Sequence, residues 1–213
     1  MKLKIDLHVH TSYSCDSLIT PKELIFYAKN RGLDGVAVTD HDRLDGSLKI
    51  SEETDFLIIP GMEITSKDGH VIGLNVQEPV PPGLSADETV DRIHEAGGIA
   101  VACHPAVPFK GSLRKHVTSK FDAVEVINAS AFPFHYSVRQ GEKIASRLGK
   151  ARVAGSDAHY GPEIGYAYTI VNAESEADKI IEAIRKRKCL PFGTAIPLKI
   201  RLKREFLALE RKF

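Results

Sequence analysis

Short apolar runs alternate with amphipathic stretches along the chain. LKIDLHV from Leu3, GVAVTD from Gly35, DFLIIPGMEIT from Asp55, HVIGLNV from His70, GIAVACH from Gly98, AVEVINA from Ala123, RVAGSDAH from Arg152 and YTIVNA from Tyr168 are short and rich in β-branched residues, which predicts strands. Between them helices are predicted over Pro21–Arg31, Ser85–Ala96, His135–Leu148 and Ser175–Lys188. The helices at Pro21, Ser85 and Ser175 open with Thr or Ser followed about three residues later by a carboxylate, the signature of a capping box. The terminal KIRLKREFLALERKF reads as a strand and then an amphipathic helix. Continuous apolar stretches such as VAV and IAVA predict a parallel sheet covered on both faces. The α/β alternation favours a closed or distorted βα barrel over an open doubly wound sheet, although periodicity alone leaves both open.

Composition narrows the class. A chain of 213 residues, 43% hydrophobic and 27% charged, is that of a soluble globular protein and suits one barrel domain spanning 1–213. It carries no internal repeat, low-complexity segment or convincing linker; Pro79, Pro81, Pro82 and Gly83 mark a loop before a helix. MKLKIDLHVH places Asp and His where a secretory signal needs an apolar core, and no run approaches the roughly 20 apolar residues of a membrane span. Cys15, Cys103 and Cys189 are odd in number and widely spaced, which argues against a disulfide framework and fits a reducing, cytoplasmic setting without membrane contact.

The candidate chemistry lies where strands end. His8 and His10 are two apart on an extended chain, so both imidazoles share a face. Alone, such a pair is as compatible with a surface as with a metal. Asp16 follows in a Ser-rich loop; His41 ends the second strand, Glu63 the third, His104 a later one, Asp157 and His159 another, and His70 begins one. In a βα barrel the loops at the carboxyl ends of the strands open on one face, where active sites of that fold sit. Scattered surface histidines would not fall at strand ends so regularly, whereas His94 and His116 lie in or beside helices and read as surface residues. Six imidazoles and three carboxylates, with no thiolate required, suit two or three divalent ions such as Mn, Zn or Fe. Nine donors exceed what one ion takes, and sharing them leaves positions open for water and substrate.

The strings DLHVHTSYSCDS, VTDHD, PGMEIT, HVIGL, ACHP and GSDAH resemble those of the PHP (polymerase and histidinol phosphatase) family, most closely its small stand-alone branch related to nucleotide phosphatases and the RNase AM type. The resemblance runs from about Lys4 to His159 with the motifs in order. It implies a distorted (βα)7 barrel with its site at the carboxyl ends of the strands and a trinuclear centre. His8, His10, Glu63 and Asp157 would hold one ion; Glu63 would bridge to a second held by His70 and His104; Asp16, His41 and His159 would hold the third. Some branches carry His at the position of Asp16; Asp fits the stand-alone branch.

The expected activity is metal-dependent hydrolysis of a phosphate ester of a nucleotide or short oligonucleotide, with a metal-bridging hydroxide as nucleophile. Histidinol phosphate or another small phosphorylated metabolite is the alternative substrate, and a nucleic-acid-associated module is the reading from another class. Catalytic weight falls on Glu63 and Asp157, with Asp40 either orienting a ligand or water or capping its strand. Asn128, Arg114 and His135 are the substrate-contact candidates, with Lys110 and Arg139 as further cations able to grip phosphate. Only 52 residues separate His104 from Asp157, so an insertion found in some nucleotide-hydrolysing relatives is reduced or missing.

The formal net charge of +1 conceals an asymmetry. There are 18 basic and 25 acidic residues through Asp178, but 11 basic and 3 acidic across 179–213. That basic C-terminal segment is either a possible nucleic-acid contact or a solvated helix face with cations near helix ends.

Overall fold

The computed structural model describes residues 1–108 and 111–210. Its strands are β1 (Lys2–Val9), β2 (Gly35–Val38), β3 (Leu57–Ser66), β4 (Gly69–Leu74), β5 (Ile99–Ala102), β6 (Ala123–Asn128), β7 (Ala151–Gly155), β8 (Ala167–Asn172) and β9 (Cys189–Gly193). They form one sheet in the spatial order β7-β6-β5-β4-β3-β2-β1-β8-β9. The helices are α1 (Pro21–Asn30), α2 (Asp45–Glu52), α3 (Ala86–Glu95), α4 (Phe134–Leu148), α5 (Ala177–Arg185) and α6 (Leu198–Glu210).

The sheet curls until β7 meets β1 and β8. Past the end of β7, the Asp157 N–H donates to His8 O at 2.8 Å, and the His10 N–H donates to Ala158 O at 3.0 Å. Lower down, the Thr169 hydroxyl on β8 accepts from the Ala154 N–H at 2.8 Å and donates to Ala154 O at 3.1 Å. A side chain thus stands in for backbone pairing where the barrel nearly closes, as the expected distorted α/β barrel requires.

The sheet is mixed, which corrects the expectation of a parallel one. β4 is antiparallel to β3 and β5, and β8 is antiparallel to β1 and β9. The cause is local: only Lys67 and Asp68 join β3 to β4, whereas a parallel crossover needs a dozen or more residues. The reversal has a functional effect. Because β4 descends, His70 near its start lies at the same end of the barrel as the carboxyl ends of β1, β2, β3, β5, β6 and β7.

Other boundaries shift for physical reasons. Thr20–Glu23 and Ser85–Glu88 form the expected capping boxes, but α5 begins at N-cap Glu176, so Ser175 caps nothing there. The strand expected at the start of KIRLKREFLALERKF is instead part of α6. α2 went unforeseen because its eight residues, DGSLKISE, carry too little apolar pattern. β9 did so because Pro191 interrupts it, which an edge strand tolerates.

Ile5, Leu7, Ile59, Ile72, Val101 and Val153 fill the barrel, and Ile180, Ile181 and Ile184 of α5 join the same core. Separate apolar layers seat α3 and α4 on one side and α1 and α2 on another. Among the described residues no helix is long and apolar enough to cross a membrane.

The closure tolerates no extra atom at Gly155, where a Cβ would lie 2.3 Å from His8 Cβ and 2.8 Å from His8 N. Gly155→Ala is therefore expected to cost roughly 1–3 kcal/mol by overpacking. In differential scanning calorimetry this appears as a thermal midpoint several degrees lower, at about 2–4 °C per kcal/mol for a chain this size. An unchanged midpoint would mean that β7 can move off β1 without cost.

Candidate metal centre

The barrel brings all nine predicted donors together at one end. A bulge in β1 sets three steps, from Asp6 to Val9, against two in β2, and His8 and His10 point the same way with their Nε2 atoms 3.1 Å apart. Glu63 stands between them and two further imidazoles. Its Oε2 lies 3.1 Å from both His8 Nε2 and His10 Nε2, and its Oε1 lies 2.8 Å from both His70 Nδ1 and His104 Nε2. Asp157 Oδ1 is 3.5 Å from each Nε2 of the His8–His10 pair. At the rim, Asp16 Oδ2 is 3.2 Å from His159 Nε2 and 3.4 Å from His41 Nε2. His8, His10, Glu63 and Asp157 form one compact buried group, and His10, Asp16, His41 and His159 form a second that reaches the surface at Asp16. Around Glu63, His41 with His70 and Cys103 with His104 complete two trios.

Two of these residues hold backbone conformations that side chains rarely adopt. His104 has φ 29° and Asp157 has φ 55°. Such left-handed positions cost energy and persist where the surroundings enforce them, typically at functional sites.

A supporting layer went unrecognised in the sequence. Glu125 on β6 accepts from or shares a proton with His8 Nδ1 at 2.9 Å, while its Oε2 accepts from the His104 N–H at 2.7 Å and from Asn128 Nδ2 at 2.9 Å. A bulge between Glu125 and Ile127 accompanies its position beside β7. Asp6 accepts from the backbone of Ser156 and Gly165, tying β1 to the loops after β7. The buried Cys103 has its thiol 3.5 Å from Glu63 Oε1 and 3.2 Å from His70 O. A single charged residue inside an apolar strand, as in VEVIN, was the available signal for Glu125.

Electrostatics follow from burial and crowding. Burial disfavours a charged His8, yet Asp157, Glu125 and Glu63 outweigh it and raise its pKa well above the ordinary value. His10, opposed by burial but bonded to Asp157 and Glu63, is raised to about 9. Burial alone would raise Glu63; the positive charge on His8 and the bonds from His10, His104 and His70 pull it well below the usual carboxylate range. Asp16 is likewise lowered, burial being outweighed by the bonds from His159 and His41. Burial, with repulsion from His10, lowers His159. Without metal, then, protons on His8 and His10 hold the carboxylates together.

The remaining candidates lie in different settings. Asp40 gives both oxygens to Thr11, at 2.6 Å to its N–H and 2.7 Å to its hydroxyl, so it latches the loop after β1 and bonds no ligand imidazole. Asn128, expected to face substrate, is buried and its Nδ2 bridges Glu125 to Asp157 Oδ2 at 3.1 Å. Arg114 is exposed in a cavity of about 780 Å³ that opens beside His70 and also meets Lys67 and Lys115. Arg114 and Lys115 also line a neighbouring cavity of about 430 Å³, with Tyr136 and Arg147. His135 is exposed at the start of α4, its ring edge-on to Phe134, and Arg139 is exposed one turn on. Lys110 lies outside the described residues. In the basic segment, Arg201 donates to the carbonyls of Ala129, Ser130 and Ile196, and Arg204 pairs with Glu163 at 3.3 Å. Those two cations are thus engaged by the body of the protein.

The donor set fits divalent cations. Two imidazole nitrogens 3.1 Å apart, facing two carboxylates, repel one another or trap protons unless a cation sits among them. Imidazole and carboxylate donors with one nearby thiol match borderline ions.

Comparison with known proteins supports this chemistry. Residues 135–189 match the family model described as PHP-associated. An uncharacterized protein of Methanocaldococcus jannaschii is 37% identical over 141 residues, which cover 60% of this chain and 82% of that one. A probable phosphatase of Caldicellulosiruptor saccharolyticus is 25% identical over 202 residues, 77% of this chain and 83% of the other. The 5′-3′ exoribonuclease of Haemophilus influenzae is 34% identical over 108 residues, 47% of this chain and 39% of the enzyme. The fold also matches the crystal structure of a two-domain Bacteroides vulgatus protein containing a predicted PHP-like metal-dependent phosphoesterase. That match has a TM-score of 0.74 at 19% identity and covers 98% of this chain and 70% of that one.

Proposed function

The chain belongs to the PHP family of metal-dependent phosphoesterases, and from that premise we propose that it hydrolyses a phosphate ester of a nucleotide or a short oligonucleotide. The observation that carries the substrate class is the cationic cavity beside His70. Lys67, Arg114 and Lys115 offer more positive charge than one ester phosphate needs, and the adjoining cavity adds Arg147 and an exposed aromatic ring, Tyr136. A second phosphate with a base to stack suits that combination better than a compact metabolite does. The likeness to an exoribonuclease points the same way.

In this reading His8, His10, Glu63 and Asp157 hold one divalent ion, Glu63 is shared with a second held by His70 and His104, and Asp16, His41 and His159 hold a third. When bound, such ions neutralise phosphoryl oxygens and make water acidic enough to attack at neutral pH. Glu125 orients His8 through Nδ1 and fixes the His104 backbone; Asn128 holds Asp157; Asp40 acts through Thr11 on the loop carrying Asp16. Arg114 and Lys115 draw in the part of the substrate that does not react.

The test is a hydrolysis screen of the Mn-loaded protein against nucleoside monophosphates, nucleoside 3′,5′-bisphosphates, short RNA and histidinol phosphate. Nucleotide esters are expected to be preferred, with Arg114→Ala raising KM about tenfold and leaving kcat nearly unchanged. Turnover of histidinol phosphate alone would replace the nucleotide reading with a small-metabolite phosphatase. No turnover, with less than one ion per chain, would leave a binding module.

Glu125 supplies a separate prediction. Glu125→Gln keeps the volume but loses the carboxylate behind His8, and is expected to weaken divalent-metal binding about 10- to 100-fold. Calorimetric titration measures this directly, and unchanged affinity would reduce Glu125 to a packing residue.

A further inference from the structure

The helix that closes the chain leaves its apolar side uncovered. Leu198, Leu202, Phe206 and Leu209 of α6 are 70%, 60%, 61% and 59% exposed. At about 100° per residue they fall on one stripe. The opposite side is firmly seated: Arg201 binds three carbonyls, Arg204 pairs with Glu163, and Ile200 packs on the small core around Ile196. The stripe is therefore held rigidly in solvent, and contiguous apolar patches of this kind mark interaction sites.

We propose that α6 is a self-association surface, packing antiparallel across a two-fold axis against α6 of a second copy of this chain. The charges choose this occupant. With Arg201 and Arg204 turned inward and Glu205 held by Arg204 at 2.7 Å, the exposed charges left on α6 are Lys199, Lys203 and Glu210, a near-balance that offers a polyanion or an anionic membrane little attraction. Lys199 and Glu210 lie on the same flank of the stripe at opposite ends of the helix. In an antiparallel pair equal flanks meet, so Lys199 faces the partner's Glu210, and symmetry repeats the contact. The same axis, near residue 204, sets Leu202 beside the partner's Phe206 and Leu198 beside the partner's Leu209. A parallel pairing would instead bring unequal flanks together and separate Lys199 from the partner's Glu210.

Analytical ultracentrifugation of the full chain tests this. A dimer is expected, with the double substitution Leu202→Glu and Phe206→Glu raising its dissociation constant by about 100-fold while the circular dichroism spectrum stays unchanged. Lys199→Glu and Glu210→Lys should each weaken it about fivefold, and their combination should restore it. A monomer at every concentration overturns the proposal, whether or not it sediments with anionic phosphatidylserine vesicles. So does a dimer indifferent to the stripe or one that the charge exchange fails to restore.

Discussion

Replacing Asp157 by Ala is expected to lower kcat/KM for the preferred phosphate ester by about three orders of magnitude, because losing a ligand forfeits several kcal/mol of charge stabilisation in the transition state. Asp157 sits in the buried group with His8, His10 and Glu63, in a left-handed conformation that aims its carboxylate at the two imidazoles. Asn128 fixes its other oxygen. Removing the carboxylate strips a buried counter-charge from the protonated His8 and His10, so the metal-free variant is expected to unfold earlier than the metal-free parent. What should vanish is the rise in thermal midpoint on adding Mn, which grows with the ratio of free metal to its dissociation constant. Normal turnover and normal metal content in the variant would remove Asp157 from the centre. A collapsed circular dichroism spectrum, in contrast, would report on folding alone, and His8→Ala then provides the second reading of the same centre.

Which parts of this arrangement were readable in the chain follows from geometry. His8, His10, His41, Glu63, His104, Asp157 and His159 were accessible because each falls at or near a strand end, and the fold converts strand ends into one surface. His70 was found for the same reason, although the reversal of β4 that delivers it depends on a two-residue turn that strand patterns do not report. Glu125 was missed because β6 is buried on both faces, so period-2 alternation cannot separate a residue facing the site from one facing a helix. Asn128 was placed at the correct end of β6, yet its amide turns to Glu125 and Asp157, a choice made by neighbours far away in sequence. The basic segment shows the opposite limit. Net charge could not reveal that Arg201 and Arg204 face inward while the leucines face out, because that depends on which side of α6 meets the loops at Ala129 and Glu163.

The crowding that suits this centre for metal makes the metal-free protein sensitive to alkaline pH in a way that the loaded one is not. His10 is raised from 6.5 to about 9, so its contribution to stability is fully present below pH 6.5 and is lost as pH climbs through 9. One such group amounts to roughly 3 kcal/mol across that window, and His8, raised in the same direction, adds to it. Asp6, which burial raises to about 6 against the bonds it accepts from Ser156, Gly165 and His8, acts lower, between about pH 4 and 6. The alkaline window therefore belongs to the histidines. With Mn bound that slope disappears, because each imidazole is then deprotonated in the folded protein and, above about pH 7, in the unfolded chain as well, so the roughly tenfold gain in affinity per pH unit for every proton displaced offsets the loss of metal-free stability. Thermal melts from about pH 7 to 9.5 should show the metal-free midpoint falling and the Mn-loaded midpoint nearly level. His10→Gln should flatten the metal-free slope. A metal-free midpoint independent of pH would mean that His8 and His10 hold no protons between the carboxylates, and that another cation balances Glu63 and Asp157 in the empty centre.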